Sequence, residues 1–293
     1  MQNIKGIKSD FELMGALRTV CEAYEEIAVI RMRRVKSSVL STREFLAKIG
    51  DIFANLRSYE KRLKLEEEKH GGKKKAKKEA ASVDDFERKG TVSILLAPNS
   101  KMYGDIVART YRVFRDKVNN SDTDIVILGK VGKEFYEKES HKKAYTYFDI
   151  PDSGVTMEDL KQVIYHVSHY EKIDVYFGKF ESFINQTPVN QNLLGQEFET
   201  KTNQDFYGYI YEPSFGTVKG FFETQIFASL LKQSVFEGQL GRYASRVKAM
   251  EMALENIDNN SKRLKSTYRR VQRQVENRKQ IGIISGLSLW QGK

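Results

Sequence analysis

The most constraining feature of this sequence is an apolar stripe near its C-terminal end that repeats at coiled-coil spacing. The stripe comprises Val247, Met250, Leu254, Ile257, Leu264, Tyr268, Val271 and Val275. Steps of three and four residues keep one face of a long helix against a partner helix and impose a left-handed supercoil. The sequence therefore predicts a long helix that pairs with another helix along this face.

A matching stripe lies near the other end of the chain. It comprises Leu13, Leu17, Val20, Tyr24 and Ile27, and then drifts to Ala28, Met32, Val35 and Val39. From Phe11 to Leu65 there is no proline, and Gly15 and Gly50 are the only glycines, which favours one long helix. We predict that the two ends of the chain pair with each other as an antiparallel coiled coil.

The middle of the chain has the pattern of a small α/β domain. Short β-rich apolar runs alternate with helical patterns, as is typical of a parallel sheet. The predicted strands are 91–97, 124–128 and 172–177, and the predicted helices are 105–118 and 157–169. The polar tract 200–205 is predicted as a loop or hairpin, and 207–211 as an edge strand.

These patterns predict the fold class α/β, with a long antiparallel two-helix coiled coil and a central Rossmann-like domain. We expect four segments. They are an N-terminal helix at 1–65, a charged linker at 66–90, the α/β domain at 91–217, and a helix with an apolar tip at 218–293. The basic run from Lys73 to Lys78 makes a mobile, solvated loop the expectation for the linker.

Composition limits the class of partner. The net charge of +10 predicts an acidic partner, which leaves nucleic acid, an anionic membrane and an acidic protein surface open. The single cysteine, Cys21, excludes an intrachain disulfide and is expected to be a buried structural thiol. Because no apolar run is long enough to span a membrane, we expect a cytosolic protein or one peripheral to a membrane.

The sequence offers no constellation for catalysis. The segment Gly129–Lys133 lacks the glycine spacing of a phosphate-binding loop and is predicted to be a turn between a strand and a helix. His166 and His169 stand three residues apart, but no third metal ligand is near them. We therefore expect no catalytic residues, no metal and no cofactor.

Two features of the last helix point to partners. Its basic residues, opposed only by Glu276, predict acidic surroundings or a solvated face. They are Lys262, Arg263, Lys265, Arg269, Arg270, Arg273, Arg278 and Lys279. The helix then turns apolar from Ile281 to Trp290, and an exposed apolar tip requires a cover. Either a membrane interface or an apolar collar of partner subunits would provide one.

Several segments, in order along nearly the whole chain, resemble one family. Arg31-Met32-Arg33-Arg34 is similar to its Lys-Met-Arg-Lys stretch, and 124–135 to its strand and turn ending in Gly-Arg-Lys-Gly-x-x-Phe. Within 170–194, the matching residues are Tyr170, Phe180, Gln186, Pro188, Leu193 and Leu194. In the last helix they are Ser245, Arg246, Ala249, Met250, Ala253, Asn256 and Tyr268. The chain thus resembles the γ subunit of F-type ATP synthases.

The resemblance implies a non-catalytic rotor shaft, the central stalk that couples ion translocation to ATP synthesis or hydrolysis in a catalytic α/β hexamer. It implies the α and β subunits, the ε subunit and the c-ring as partners, at the cytoplasmic face of the cell membrane and in contact with it only through the complex. The implied contacts to the catalytic subunits are Gln272, Arg273, Arg269, Arg270, Arg33 and Met32. The implied bearing tip is Ile281, Ile283, Ile284 and Leu287.

The chain also departs from the family. Glu251 stands where lysine is usual, Gln272-Arg273 reverses the usual order of that pair, and 97–104 replaces the family's Ser-x-Asp-Arg-Gly-Leu-Cys-Gly turn. These departures leave open a rotor of a specialised F-type-derived ATPase without a membrane ion motor. A coiled-coil nucleic-acid binder would also explain the positive charge.

Overall fold

A computed structural model describes residues 4–70, 89–139, 143–193, 211–212 and 214–290. Two very long helices, α1 and α5, enclose a mixed α/β region in the chain order. The elements are α1 (Ile4–His70), β1 (Lys89–Leu96), α2 (Ile106–Asn119), β2 (Asp124–Leu128), α3 (Lys130–Glu137), β3 (Tyr145–Phe148), α4 (Met157–Val167), β4 (Tyr170–Phe180), β5 (Gln186–Asn192) and α5 (Phe215–Trp290). The predicted fold class is confirmed.

The bounds of α1 and β1 shorten the predicted linker from both sides. Residues 66–70 belong to α1, and residues 89–90 belong to β1. The rest of the predicted linker, 71–88, lies outside the described residues, as does the tract 200–205.

The five strands form one sheet in the order β3-β2-β1-β4-β5. The first four strands run parallel, and β5 pairs antiparallel with β4, with Phe177 opposite Val189. The described edge strands are therefore β3 and β5, and the sequence analysis assigned neither. Residues 207–210 of the predicted edge strand lie outside the described residues, and Tyr211 is not in a strand.

The sheet belongs to a compact unit spanning Ile30–Ser245 and has a core on each face. Alternate residues of β1 enter opposite cores: Val92, Ile94 and Leu96 enter one, and Leu95 enters the other. The first core also contains buried side chains of α1, α4 and α5, whereas the second contains those of α2 and α3. Covering both faces explains why β1 and β2 are nearly continuous apolar runs.

Local interactions define where two helices beside the sheet, α3 and α4, begin. The turn predicted at Gly129–Lys133 is limited to Gly129, which has φ 95°, because α3 already begins at Lys130. A Cβ at Gly129 would lie 2.1 Å from the carbonyl oxygen of Ala97, so glycine is required there. At the start of α4, the Thr156 hydroxyl and the Asp159 carboxylate form a reciprocal capping box.

The second compact unit combines Met1–Val29 with Arg246–Lys293 and contains an antiparallel helix pair. In α5, the predicted seam is buried or half-buried from Val247 to Val271, with Ser261 at the skipped position, while Val275 is 36% exposed. In α1, the residues that face the seam are Ile7, Met14, Cys21 and Ala28, which recur every seven residues.

The predicted N-terminal seam is therefore wrong for Leu13, Leu17, Val20, Tyr24 and Ile27, which are 38% to 54% exposed. The predicted continuation at Ala28, Met32, Val35 and Val39 is buried, as expected. Two heptad stripes lie side by side on α1, displaced by one residue, and periodicity alone does not choose between them. The chosen stripe contains the smaller side chains of Cys21 and Ala28, which allow α5 to approach closely.

Candidate interaction surface

The basic residues of α5 form a continuous exposed face on the side opposite the seam. This basic face is lined by Lys262, Lys265, Ser266, Arg269, Arg270, Arg273, Gln274 and Asn277. Its members recur in steps of three and four, which keeps them on one side of the helix. Glu276 is the only acidic residue from Lys262 to Lys279. Its carboxylate accepts a hydrogen bond from Gln272 Nε2 at 3.2 Å.

The register of the helix pair explains why α5 is exposed on all sides from about Gln272 onward. Arg18 of α1 forms an ion pair with Asp258 of α5. Antiparallel helices advance together, so the distance from Arg18 back to Ile4 carries α5 forward only as far as about Gln272. All described side chains from Gln272 to Gly286 are exposed. Gln272 and Arg273 thus lie where α5 extends beyond the described part of α1.

Further along α5, the apolar tip is exposed. Ile281, Ile283 and Ile284 are 62% to 65% exposed. At about 100° per residue, Ile283 lies some 200° around the helix from Ile281, and Ile284 a further 100°. Leu287 continues the helix, but its side chain lies outside the described residues. The three isoleucines therefore lie within an arc of about 160° on one side of the helix, which either a membrane interface or an apolar collar of partner subunits would cover.

The implied contact residues are divided between the two compact units. Arg269, Arg270, Gln272 and Arg273 lie together on exposed α5. Arg33 is exposed but belongs to the unit spanning Ile30–Ser245. Met32, in that same unit, is only 7% exposed and packs in the core beside the sheet. Met32 was included among the implied contacts to the catalytic subunits, and the structure corrects this. Its side chain packs in the core of the chain and is not exposed to a partner.

The crevice at which doubly wound sheets bind ligands is filled by α5 itself. That crevice lies beyond the carboxyl ends of β1 and β4, where the strand order reverses. A Cβ at Gly238 would lie 3.3 Å from Phe177 Cβ, and Arg242 Nη1 lies 3.5 Å from the Leu96 carbonyl oxygen. The cavity left beside Arg242 measures about 10 Å³, which admits at most one water molecule.

The unusual turn at 97–104 is anchored beside this crevice. The backbone N–H groups of Asn99 and Ser100 donate to the Asp152 carboxylate at 2.7 and 2.9 Å. The Tyr243 hydroxyl of α5 donates to the Asp152 carbonyl oxygen at 2.7 Å, and its ring lies 6.0 Å from that of Tyr103. The residues that depart from the family pattern thus connect the sheet to α5.

The two histidines make aromatic contacts. The His166 ring lies 5.7 Å from Phe148, and the His169 ring lies 5.3 Å from Tyr165. His169 follows the end of α4, so the two histidines do not share a regular helix face. Within the described part of the chain, no cluster of three potential metal ligands occurs. In the same part of the chain, no helix is both long enough and apolar enough to cross a membrane.

The structure also shows a surface that the sequence analysis missed. The α1 residues Leu13, Leu17, Val20, Tyr24 and Ile27, assigned from their spacing to the seam, form an exposed apolar stripe beside it. The Tyr24 ring contacts the Arg246 guanidinium of α5, 5.8 Å from the ring centroid. The heptad spacing correctly indicated an apolar stripe on α1, but this stripe lies on an exposed face beside the seam.

Comparison with known proteins connects these features to one family. The sequence model of the ATP synthase family matches residues 3–288. The ATP synthase gamma chain of Dinoroseobacter shibae is 23% identical over 98% of this chain and 99% of the relative. That of Brevibacillus brevis is 21% identical over 97% of this chain and 98% of the relative.

Solved structures with a similar fold include two mitochondrial ATP synthase complexes. A chain from the Tetrahymena thermophila central stalk and c-ring structure has a TM-score of 0.56 and 16% identity, covering 80% of this chain and 99% of that one. A chain from the Euglena gracilis rotor has a TM-score of 0.54 and 15% identity, covering 93% and 98%. With the family match extending over nearly its whole length, this chain belongs to the ATP synthase gamma-chain family.

Proposed function

We propose that this chain is the central-stalk rotor subunit of an F-type ATP synthase. In that role it couples ion translocation through a membrane sector to ATP synthesis or hydrolysis in a catalytic α/β hexamer. The observation that carries the proposal is the family match over residues 3–288, on a chain with two long antiparallel helices and an α/β region.

The chain acts through its contacts with the catalytic subunits, and ATP is synthesised or hydrolysed in the hexamer. A two-helix shaft is asymmetric, so each catalytic subunit around it meets a different set of side chains. Contacts that differ in free energy between subunit conformations shift the populations of those conformations. Rotation of the shaft then changes which subunit adopts which conformation. The α5-filled crevice of the sheet agrees with a non-catalytic role.

The basic face of α5 is the proposed contact with acidic surfaces of the catalytic subunits. Gln272 and Arg273 are the candidate specific contacts, because they lie where α5 extends beyond the described part of α1. Arg269 and Arg270 lie one turn earlier, and Arg33 is a separate candidate on α1. A guanidinium opposite carboxylates forms strong charge-assisted hydrogen bonds and speeds association.

The apolar tip is the proposed bearing inside the hexamer. Isoleucine side chains at 281, 283 and 284 are exposed, and an enclosing apolar collar of partner subunits would cover them. We assign Leu287 to the same bearing from its place in the sequence. Burying these side chains would also remove an aggregation hazard.

The remaining proposed partners are an ε subunit and the ion-carrying c-ring. The support is the fold shared with a Tetrahymena thermophila chain that is described as central stalk and c-ring. The chain would then be peripheral to the cytoplasmic face of the cell membrane and would contact the membrane only through the complex.

Native mass spectrometry of the complex purified with this chain in mild detergent tests the proposal. We expect three α and three β subunits, an ε subunit and a c-ring together with one copy of this chain. A hexamer without membrane subunits would overturn the coupling to ion translocation. A chain that purifies alone or with nucleic acid would overturn the rotor assignment.

A further inference from the structure

Helix α5 is contacted on two opposite sides where it packs beside the sheet, within the unit spanning Ile30–Ser245. On the first side, its backbone at Gly241 lies against the backbone of β4 at Gly178, with no room for a Cβ between them. Tyr243, which is buried, follows two residues later and points about 200° further around the helix. The two contacts therefore grip α5 at almost the same level from nearly opposite directions.

The second side of this grip consists of the contacts of Tyr243. Its hydroxyl donates a hydrogen bond to the Asp152 carbonyl oxygen, and its ring packs beside that of Tyr103 in the turn at 97–104. Burial raises the pKa of the Tyr243 hydroxyl, and the nearby Arg31 guanidinium of α1 opposes this rise. A single side chain thus connects α5 to the turn, to the residue that anchors the turn, and to α1.

The turn at 97–104 is firmly held by hydrogen bonds to its neighbours. The Asp152 carboxylate accepts hydrogen bonds from the backbone N–H groups of Asn99 and Ser100, and from the Ser100 hydroxyl at 2.6 Å. The side-chain oxygen of Asn99 accepts a hydrogen bond of 2.8 Å from the Lys130 N–H, where α3 begins. Tyr243 therefore rests on a support that is itself anchored to two other parts of the α/β region.

The backbone of the turn is strained between these anchors. Met102 has φ 73°, which is an unfavourable conformation for a residue with a Cβ. It lies between Ser100, whose polar groups bind Asp152, and Tyr103, which is 2% exposed. Strain of this kind persists only where the surrounding contacts fix the backbone. The contacts on both sides of Met102 therefore define a single conformation of the turn.

We propose that the Gly178–Gly241 contact and the contacts of Tyr243 with Tyr103 and Asp152 form a two-sided clamp that stops α5 from rolling against the sheet. The glycine contact prevents closer approach, but it contains no side chain that would resist rotation. Rolling about this contact moves the opposite side of α5 farthest, and the directional Tyr243 hydrogen bond lies there.

The consequence for rotation rests on the proposed function. In a rotor, torque passes between the α/β region and the long helices, and a helix that rolled in its seat would lose part of the turning angle. The clamp keeps the angle of α5 fixed relative to the sheet. One of its two sides is built from the turn whose sequence departs from the family pattern, so this side is specific to this chain.

Amide hydrogen exchange of the purified chain tests the clamp without any partner. Tyr243→Phe removes the hydroxyl and keeps the ring. Tyr170→Phe is the matched control, because the Tyr170 hydroxyl is also buried and donates a hydrogen bond of 2.7 Å, but to Asp124 within the α/β region. We expect the amides of Asn99 and Ser100 to exchange about tenfold faster in the Tyr243 variant only.

Two results of the exchange experiment would overturn the clamp. The first is equal exchange of the turn amides in the two variants. The second is a uniform increase throughout the chain in the Tyr243 variant, because Tyr243 would then contribute only to overall stability.

The torque role is tested in a single complex whose hexamer is fixed to a surface. A bead attached through Tyr165→Cys, in a Cys21→Ala background, reports the angle of the α/β region. With ATP withdrawn, the variance of this angle should be about twofold larger for Tyr243→Phe than for Tyr170→Phe. Equal variances in complexes that rotate would overturn the torque role alone. A hexamer that does not copurify with the chain would overturn the proposed function, and hydrogen exchange would still decide whether the clamp exists.

Discussion

Gly241 of α5 lies directly against Gly178 of β4. A Cβ placed on Gly241 would approach the Gly178 carbonyl oxygen to 2.2 Å, which is closer than real Cβ atoms come to a backbone atom. The contact holds α5 over the carboxyl ends of the parallel strands. Because a strand backbone has little freedom to retreat, we expect Gly241→Ala to lower the free energy of unfolding by at least about 2 kcal/mol.

Equilibrium urea unfolding of the purified chain measures this effect, and Gly220→Ala on the same helix is the matched control. Nothing lies within 4 Å of a Cβ at Gly220. Alanine is the better helix former, so the control should be neutral or stabilising by up to about 1 kcal/mol. If both variants were equally stable, the close contact between Gly241 and Gly178 would not exist in solution.

The Glu237 carboxylate of α5 depends on α1 for its charged partner. It is buried and accepts hydrogen bonds from Arg43 Nη2 and Gln233 Nε2, each at 2.8 Å. We expect Arg43→Met to cost about 1–3 kcal/mol, because it leaves a buried carboxylate without its cation. The double variant with Glu237→Met should cost less than the sum of the two single changes. Strict additivity in urea unfolding would contradict the pairing.

Ionisation of Tyr170 is expected to lower the stability of the α/β region at alkaline pH. Burial and the Asp124 carboxylate, which accepts its hydroxyl hydrogen bond at 2.7 Å, raise the pKa of Tyr170 to about 12. An unfolded tyrosine has a pKa of about 10. The pKa is thus higher in the folded state, so this contribution is complete below pH 10 and is lost between about pH 10 and 12.

We therefore expect Tyr170→Phe to lower stability by about 1 kcal/mol at neutral pH and to weaken the decline above pH 10. Tyr165→Phe is the control, because Tyr165 is 73% exposed. Burial also raises the pKa of Tyr176 to about 12, so a smaller decline should persist in the Tyr170 variant. Unfolding curves collected from pH 7 to 11 measure the difference, and parallel curves for all three proteins would contradict it.

The candidate contacts of α5 predict a coupling defect with normal assembly. Gln272→Ala combined with Arg273→Ala removes exposed side chains and leaves the helix intact. Losing a charge-assisted contact to a catalytic subunit should reduce ATP synthesis several-fold while the complex still assembles. Synthesis and native mass are measured on the same preparation, with Arg278→Ala as a basic control outside the pair. Unchanged synthesis would remove Gln272 and Arg273 from the contact.

Local patterns in the sequence predicted the parts of the fold that depend on burial along one element. Strand β2 was predicted with its observed bounds because Ile125–Leu128 is buried on both faces of the sheet. Strand β5 was missed because its sequence, Gln-Thr-Pro-Val-Asn-Gln-Asn, has no apolar alternation and is held by pairing with β4. The pairing of β5 with β4 depends on the fold and leaves no signal in the local sequence of β5.

The errors at the candidate surface have the same origin. Two heptad stripes on α1, containing Val20 and Cys21 respectively, differ by one residue, and the packing of α5 selects the one with Cys21. Met32 lies within a motif that resembles the family, but its position on the helix turns it into the core. The exposure of the basic segment could be predicted without tertiary information, because eight cations and one acid between Lys262 and Lys279 favour a solvated surface.

Rotation of a single complex tests the central claim most directly. The catalytic hexamer is fixed to a surface, and a bead is attached through a cysteine at Tyr165, the exposed α4 position, in a Cys21→Ala background. As a rotor, the chain should turn the bead in one direction when ATP is added and stop when ATP is withdrawn. Continued ATP hydrolysis with a stationary bead would contradict the assignment of this chain as the central stalk.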